Sequence, residues 1–367
     1  MISELVMASI SDVHLGHNKT RTVHILDNLR FLFPDSEETG RLDLIVIAGD
    51  LFDRLLYFSA EEIREITLWI HELLTICVKH DIVLRVLEGT PSHDWKQSKM
   101  FETINSILPV PADMKYVDTL SIEYIERFDM NVLYIPDEWA PEADDIWKQT
   151  MELMQQRALT HVDVAVMHGA FDYQIPMGHN CHLPDRYMEI VRRYIFIGHV
   201  HQHTVYERIL AQGSFDRLCH GDEWDKGYIR ATLSESEGDS YELVINPKAK
   251  WYKTIDLRGM TVEDALNRLE RLDESPMGSH FRIHTNRQDA MTLALATVKD
   301  RWPQFYWTSL VDDLDSDNKP IQRGDVEIPR PPTITRENIV RTIKDRLPTD
   351  LEPRVEQEVW VLLDALI

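Results

Sequence analysis

Six strand-length apolar runs alternating with helical stretches constrain this chain more than any other feature of its sequence. The runs occupy residues 5–10, 42–48, 82–87, 131–135, 162–167 and 194–197. Between them the spacing turns helical. Ser59 and Glu62 make a capping box opening a helix that reaches about residue 80, and another helix is expected over about 143–160. Strand and helix patterns taken in turn predict an α/β domain. Residues 209–257 then read as strand-rich.

A second unit follows. Thr261 and Asp264 form a capping-box-like pair that starts a helix to about residue 272, after which 281–284 read as a strand, 288–300 as a helix and 305–310 as a strand. Residues 312–317 form an acidic loop, and Pro329, Pro331 and Pro332 make a stiff, extended linker. Two apolar stripes at helical spacing come next: Ile339, Ile343 and Leu347, then Val355, Val359, Leu362, Leu363 and Leu366. The expected organisation is therefore an α/β domain over 1–249, an α+β module over 250–327, a linker over 328–334, and a helical pair over 335–367 that docks on a partner.

Composition narrows the setting. No 18-residue stretch is free of charge, so no membrane span is expected. The first residues lack the basic region and apolar core of a signal peptide. Cys77, Cys181 and Cys219 are an odd, scattered set, which predicts free thiols in a reducing cytoplasm. Lys and Arg number 39 against 62 Asp and Glu, a net charge of −23, of which −19 falls on residues 1–249. Such a chain has no long-range attraction for a polyanion. Nucleic acid as a partner then requires bound cations to neutralise part of the acid, or another subunit to supply the basic surface.

The chemistry lies where the apolar runs stop. Asp12 and His14 follow the first run; Gly49, Asp50 and Asp53 follow the second. Gly89-Thr90-Pro91-Ser92-His93-Asp94 follows the third, His168-Gly169 the fifth, and Gly198-His199-Val200-His201 the sixth. In an open α/β sheet the carboxyl ends of the strands share one edge, where ligands bind. Each pair alone is weak; five at the ends of six strand-length runs predict one metal centre. The glycines permit tight turns and a close approach of backbone to an anion.

Asp12-Val13-His14-Leu15-Gly16, Gly49-Asp50-Leu51-Phe52-Asp53, the turn ending in His93-Asp94, His168-Gly169 and Gly198-His199-Val200-His201 together resemble the five motifs of the calcineurin-like metallophosphoesterases. The first two motifs resemble those of the SbcD-type nucleases, catalytic subunits of double-strand-break-repair complexes. So does Gly213-Ser214-Phe215 with the later block Gly221-Asp222-Glu223 and Lys226-Gly227-Tyr228. The resemblance covers about residues 1–257. It implies a β-sandwich flanked by helices, with a small α+β capping domain and a C-terminal helical pair.

It also implies two divalent metal ions. Asp12, His14, Asp50 and His201 would hold one; Asp50, His168 and His199 would hold the other, with Asp50 bridging. Mixed carboxylate–imidazole ligation suits Mn²⁺ or Fe²⁺, and Mn²⁺ is the expectation. Two such ions about 3.5–4 Å apart activate water and neutralise charge in phosphoryl transfer. His93 and Asp94 are the expected catalytic side chains. His93 would face the scissile phosphate and protonate the leaving oxygen or stabilise the transition state; Asp94, like Asp53, would orient ligands. The implied activity is Mn²⁺-dependent exo- or endonucleolytic cleavage of DNA at ends or single-strand/duplex junctions. The implied partners are an SbcC-type coiled-coil ATPase and a second copy of the chain. Two alternatives stand beside it: a stand-alone phosphoesterase acting on small esters, and a weakly active scaffold subunit.

The third motif departs from the family. There it reads Gly-Asn-His-Asp/Glu, and the Asn carbonyl oxygen is a ligand of the second metal. Here the turn is longer, Ser92 stands where the Asn would be, and Thr90 is the other candidate. A hydroxyl is the poorer ligand, so the second position is expected to be weaker. His179-Asn180-Cys181-His182 lacks a matching pair for zinc and reads as a loop near the site. His17 is a candidate substrate contact. Trp251, Tyr252, Trp302 and Trp307 read as core rather than as a surface for stacking bases.

Overall fold

Two six-stranded mixed sheets pack on a shared apolar layer in the computed structural model, which describes residues 4–57, 61–137, 142–175, 180–286 and 290–312. The first sheet runs β12 (Ser240–Ile245), β11 (Gly227–Ser234), β1 (Glu4–Ile10), β2 (Leu44–Ala48), β3 (Val83–Leu87), β4 (Met114–Val117). Strands β1 to β4 are parallel; β11 and β12 are antiparallel additions at the edge. The second sheet runs β5 (Ser121–Ile125), β6 (Met130–Ile135), β7 (Val164–His168), β8 (Ile195–Gly198), β10 (Ile209–Ala211), β9 (Thr204–Tyr206), with β6, β7, β8 and β10 parallel.

Strand alternation sorts the side chains into layers. Met7, Val46, Val132, Val166 and Phe196 fill the space between the sheets. Ile10, Ile45, Ile47 and Leu84 turn the other way, onto Ile25 and Leu29 of α1 (Thr22–Leu32) and Ile66, Trp69 and Leu73 of α2 (Glu61–His80). The short α3 (Pro91–Asp94) and α4 (Met100–Asn105) follow β3. On the far face, Leu133, Ala165 and Ile197 pack with Met154 of α5 (Ala143–Gln156) and Tyr187 and Ile190 of α6 (Pro184–Ile190). The central strands are covered on both faces, which is why they read as unbroken apolar runs. Each fully buried Val, Leu, Ile or Phe side chain contributes roughly 1.5–3 kcal/mol, so the layer between the sheets is a principal source of stability. Helix α5 stops sooner than its periodicity predicts, because Ala158 takes a left-handed conformation at φ 55° just past its end.

A third sheet, β13 (Tyr252–Asp256), β14 (His280–Asn286) and β15 (Tyr306–Asp312), carries α7 (Val262–Glu270) and α8 (Ala290–Arg301). Its own core gathers Leu257, Leu269, Phe281, Ile283, Trp302 and Trp307. Thr261 caps α7, its hydroxyl accepting the Asp264 amide at 3.2 Å. Tyr252, Trp302 and Trp307 are buried, so these aromatics are core. The Tyr252 hydroxyl meets Thr20 Oγ1 at 3.0 Å, which ties this sheet to the loop after β1.

Among the described residues no helix is long and apolar enough to cross a membrane, and the three cysteines are free. The expected capping residue Ser59, His179, the linker over 328–334 and the helical pair over 335–367 lie outside the described residues.

Candidate metal centre

The strand ends meet from two sheets rather than along the edge of one. Loops after β1, β2 and β3 come from the first sheet, and those after β7 and β8 from the second. Asp12, His14 and His201 form one cluster, and Asp50, His168 and His199 a second; His14, Asp50 and His93 form a third. Within each cluster the ligand atoms lie within 4.8 Å of one another. Asp50 is the hinge between them, with Oδ2 3.9 Å from His14 Nε2 and 2.8 Å from His93 Nδ1, and Oδ1 3.2 Å from His168 Nε2.

Local backbone chemistry aims these groups. Asp12, His14 and Asp50 all hold left-handed conformations, with φ of 50°, 56° and 49°. For non-glycine residues that is strain, of the kind retained at functional sites. Gly49 and Gly89 make room: a Cβ on the first would collide with the His168 ring, and one on the second with Asp50. The His168 Nδ1–H donates to the Ala48 carbonyl at 2.8 Å, which leaves Nε2 facing Asp50, where a cation would take the place of its proton. His14 Nδ1 lies 3.3 Å from Asp53 Oδ1, and the His199 amide donates to Asp12 Oδ2 at 2.9 Å. The carboxylate behind His14 and the carbonyl behind His168 fix the orientation of these two rings, as metal ligands require.

The residues present fit a pair of divalent cations. His14 Nε2 and His201 Nε2 stand 3.1 Å apart, with Asp12 Oδ1 4.0 and 3.7 Å from them. Two imidazole nitrogens and a carboxylate converging on one point are mutually satisfied only by a shared cation or a proton. Oxygen and imidazole donors without thiolate select a divalent ion of the Mn²⁺, Fe²⁺ or Zn²⁺ type.

Charge within the centre is unevenly held. Burial alone would raise the Asp50 carboxyl, but the His168 and His93 imidazoles outweigh it and keep it well below the usual range. Burial depresses His168, yet Asp50 overcomes this and lifts the imidazole to about 10. His93 is raised as well, chiefly by its hydrogen bond to Asp50. His199 and His201 are lowered, mainly by burial, and so are unprotonated near neutral pH.

Asp94 is not where a catalytic group must be. It is wholly buried, its Oδ1 accepting the Phe52 amide at 2.8 Å and its Oδ2 the Gly89 amide at 2.7 Å. Burial, with Asp50 and Glu88 nearby, raises its carboxyl well above the ordinary range. Asp94 splices the loops after β2 and β3 and cannot touch a substrate. Asp94→Ala leaves two buried amides without acceptors, each costing about 1–3 kcal/mol. Denaturant titration should therefore show a loss of about 2–5 kcal/mol; unchanged stability would refute the splice.

Lys226 plays a similar part behind His201. Its ammonium is buried, pairs with Asp222, and donates to the His201 carbonyl at 2.8 Å and to Ser214 Oγ at 2.7 Å. This gives the Gly221–Lys226 block of the sequence a physical role: it holds the loop that carries His201.

Ser92 is not brought to the centre. Pro91 opens α3, and the turn leaves Ser92 exposed. Thr90, just before the proline, points inward instead. Its Oγ1 is 3.3 Å from Asp50 Oδ2 and 3.4 Å from both His168 Nε2 and His199 Nδ1. His17 Nδ1 accepts the amides of Lys19 and Thr20 at 3.3 and 3.1 Å, closing its own turn. His182 is buried against the Tyr187 hydroxyl at 3.1 Å and belongs to none of the clusters. Asp137, after β6, belongs to no motif of the sequence; it lies outside the three clusters but within electrostatic range of His168 and His199.

A model of the calcineurin-like phosphoesterase family matches residues 6–203, from β1 through the His199–His201 loop. No curated protein matches the chain. One solved structure aligns at 12% identity and a TM-score of 0.39, over 65% of this chain and 99% of the other, a likeness too loose to carry an argument.

Proposed function

Because this chain belongs to the calcineurin-like phosphoesterases, we propose that it is a Mn²⁺-dependent DNA phosphodiesterase, the nuclease subunit of an SbcCD-like end-processing complex. The family match and the Asp/His clusters support a metal-dependent phosphoesterase in any case; DNA as substrate is the further step. The observation that carries it is a local reversal of charge. Lys19, Arg21, Lys250 and Arg282 gather with His220 and His280 where the loop after β1 meets the third sheet. Burial and the charges of Lys250 and Lys19 depress His280 to about 4, burial with Arg282 and Lys19 lowers His220, and burial, with Arg21, lowers Lys250 against the opposing pull of Asp216. Lys19 also acts on His17, which in turn lies within reach of His14 and His201. In an otherwise acidic chain, the exposed Lys19 and Arg21 of this group are suited to guiding a phosphodiester backbone towards the metal clusters.

Divalent ions, when bound, supply charge neutralisation at the phosphoryl group and activation of the attacking water. The chain's own part is positioning and proton transfer. Asp53 backs His14, and Lys226 holds the His201 loop. His93, its Nδ1 occupied by Asp50 and its side chain 37% exposed, keeps Nε2 to protonate the leaving oxygen.

A Mn²⁺-dependent assay on linear duplex DNA, single-stranded DNA and a small chromogenic diester tests the reading. Cleavage of DNA that falls steeply with added salt, beside salt-insensitive diester hydrolysis, is the expected result. Diester hydrolysis with DNA left intact would mark a small-molecule phosphoesterase instead. The partner, an SbcC-type coiled-coil ATPase, is proposed from the apolar stripes of 335–367. Truncation after Pro332 should abolish its co-purification while leaving diester hydrolysis unchanged; retained binding would exclude that docking site.

A further inference from the structure

The third sheet carries a column of flat rings that the metal centre does not use. By strand alternation, Phe281, Ile283 and Trp307 point into the core of that sheet, and Tyr252, His280 and Tyr306 to its other face. There the three rings stack in strand order. Tyr252 and His280 lie 4.4 Å apart between centroids at an interplanar angle of 4°, and His280 and Tyr306 4.6 Å apart at 18°. The two ends of the column differ. Tyr252 is 1% exposed, and its hydroxyl meets Thr20 Oγ1 at 3.0 Å in the loop that carries Asp12 and His14. Tyr306 is 54% exposed although His280 covers one of its faces, so its other face is open. Among the described residues β15 comes last in this sheet, and the column stops where one more flat ring would extend it. Cations stand around it. Arg282 shares the face of His280 two residues along β14, opposite Thr254 of β13, and the exposed Lys19 and Arg21 flank Thr20.

We propose that the outer face of Tyr306 is a stacking platform for an unpaired nucleobase. A flat ring matches the open end of the column, and stacking of a base on an aromatic side chain tolerates any sequence, because every base has a π-face. A nucleotide also carries negative charge beside its ring, which the surrounding Arg and Lys side chains favour; an aromatic side chain of a protein partner would make no use of them. A base inside a duplex cannot reach the platform without being unstacked from its neighbours. The inference rests on DNA being the substrate and adds to that reading a selection for single-stranded segments, held by a sheet that Tyr252 and Thr20 tie to the loop of the metal centre.

The test uses the full chain in EDTA, which stops metal-dependent cleavage, with a single-stranded oligonucleotide carrying aminopurine as the probe and a duplex of the same length beside it. The wild type should bind the single strand in fluorescence anisotropy and quench the aminopurine emission. Tyr306→Ala should weaken single-strand binding by about 10-fold or more and abolish the quenching, with duplex affinity unchanged. Tyr306→Trp, which keeps a flat face, should retain both properties. Thermal unfolding of each variant checks the fold, and if Tyr306→Ala does not fold, Tyr306→Leu, which keeps bulk without a π-face, decides by the same readouts. Wild-type single-strand affinity and quenching in Tyr306→Ala, or equal losses on single strand and duplex, would overturn the proposal. With Mn²⁺ restored, a wild type that quenches the strand through Tyr306 yet leaves DNA uncut would sustain the platform while defeating the nuclease reading. DNA cleavage beside a Tyr306→Ala that binds and quenches as the wild type does would defeat the platform alone.

Discussion

Replacing Asp50 with asparagine should reduce phosphoesterase turnover by about 10³–10⁴-fold and lower the number of Mn²⁺ ions bound. Among the described residues Asp50 is the one carboxylate that belongs to two clusters, so no neighbour there takes over its place. Losing the charge stabilisation that depends on it removes several kcal/mol from the transition state, and each 1.4 kcal/mol is about tenfold in rate. The same substitution affects the metal-free fold, in a pH-dependent way. The Asp50 carboxyl is held below its ordinary value of 3.8, so its contribution to stability is present above that pH and lost as pH falls through the folded value. His168 is raised from 6.5 to about 10, so its contribution is complete below 6.5 and fades as pH rises towards 10. The pair therefore stabilises most between about pH 4 and 6.5. Removing one partner of a buried ion pair costs about 3–5 kcal/mol. Thermal unfolding of metal-free Asp50→Asn against wild type should show its largest deficit near pH 6 and a smaller one near pH 9. A deficit that grows with pH would reverse the assignment of charge in this pair.

The centre was legible because its strands are covered on both faces. Their apolar runs have sharp ends, and polar residues within a few positions past an end fall on the functional rim. Asp12, His14, Asp50, His168, His199 and His201 all follow that rule, and the structure gathers them. Asp137 obeys it too, since it stands two residues past the run at 131–135. It was passed over because Pro136-Asp137-Glu138 has the look of an ordinary turn and matches no motif. Ser92 and Thr90 show the reverse error. Counting back from His93 favours Ser92, but Pro91 starts a helical turn that rotates Ser92 outward and leaves Thr90 facing in. Nor does a run buried on both faces disclose which sheet it belongs to. One edge and two facing edges produce the same pattern, and only the packing of Val46 and Met7 against Val166 and Phe196 separates them. Asp94 was misjudged because a carboxylate beside a catalytic histidine reads as chemistry, whereas the two amides it accepts make it structural.

His93→Ala should retain two Mn²⁺ equivalents and lose about 10²–10⁴ in kcat, the loss usual for a positioned acid. The argument is one of atoms. His93 Nδ1 is engaged by Asp50 Oδ2 at 2.8 Å, while the side chain stays 37% exposed, so Nε2 is the nitrogen left to meet a substrate. Proline at the start of α3 and the left-handed Trp95 at its end hold the ring on a single turn. The competing role is that of a ligand, because His93 shares a cluster with His14 and Asp50. The leaving group separates the two. A nitrophenolate leaves without a proton, whereas the alkoxide of a DNA strand needs one. If His93 is the acid, the variant should lose far more on DNA than on an activated nitrophenyl diester, with Mn²⁺ titration unchanged. Equal losses on both substrates, together with a missing Mn²⁺ equivalent, would make His93 a ligand and leave the leaving oxygen to be protonated by another group.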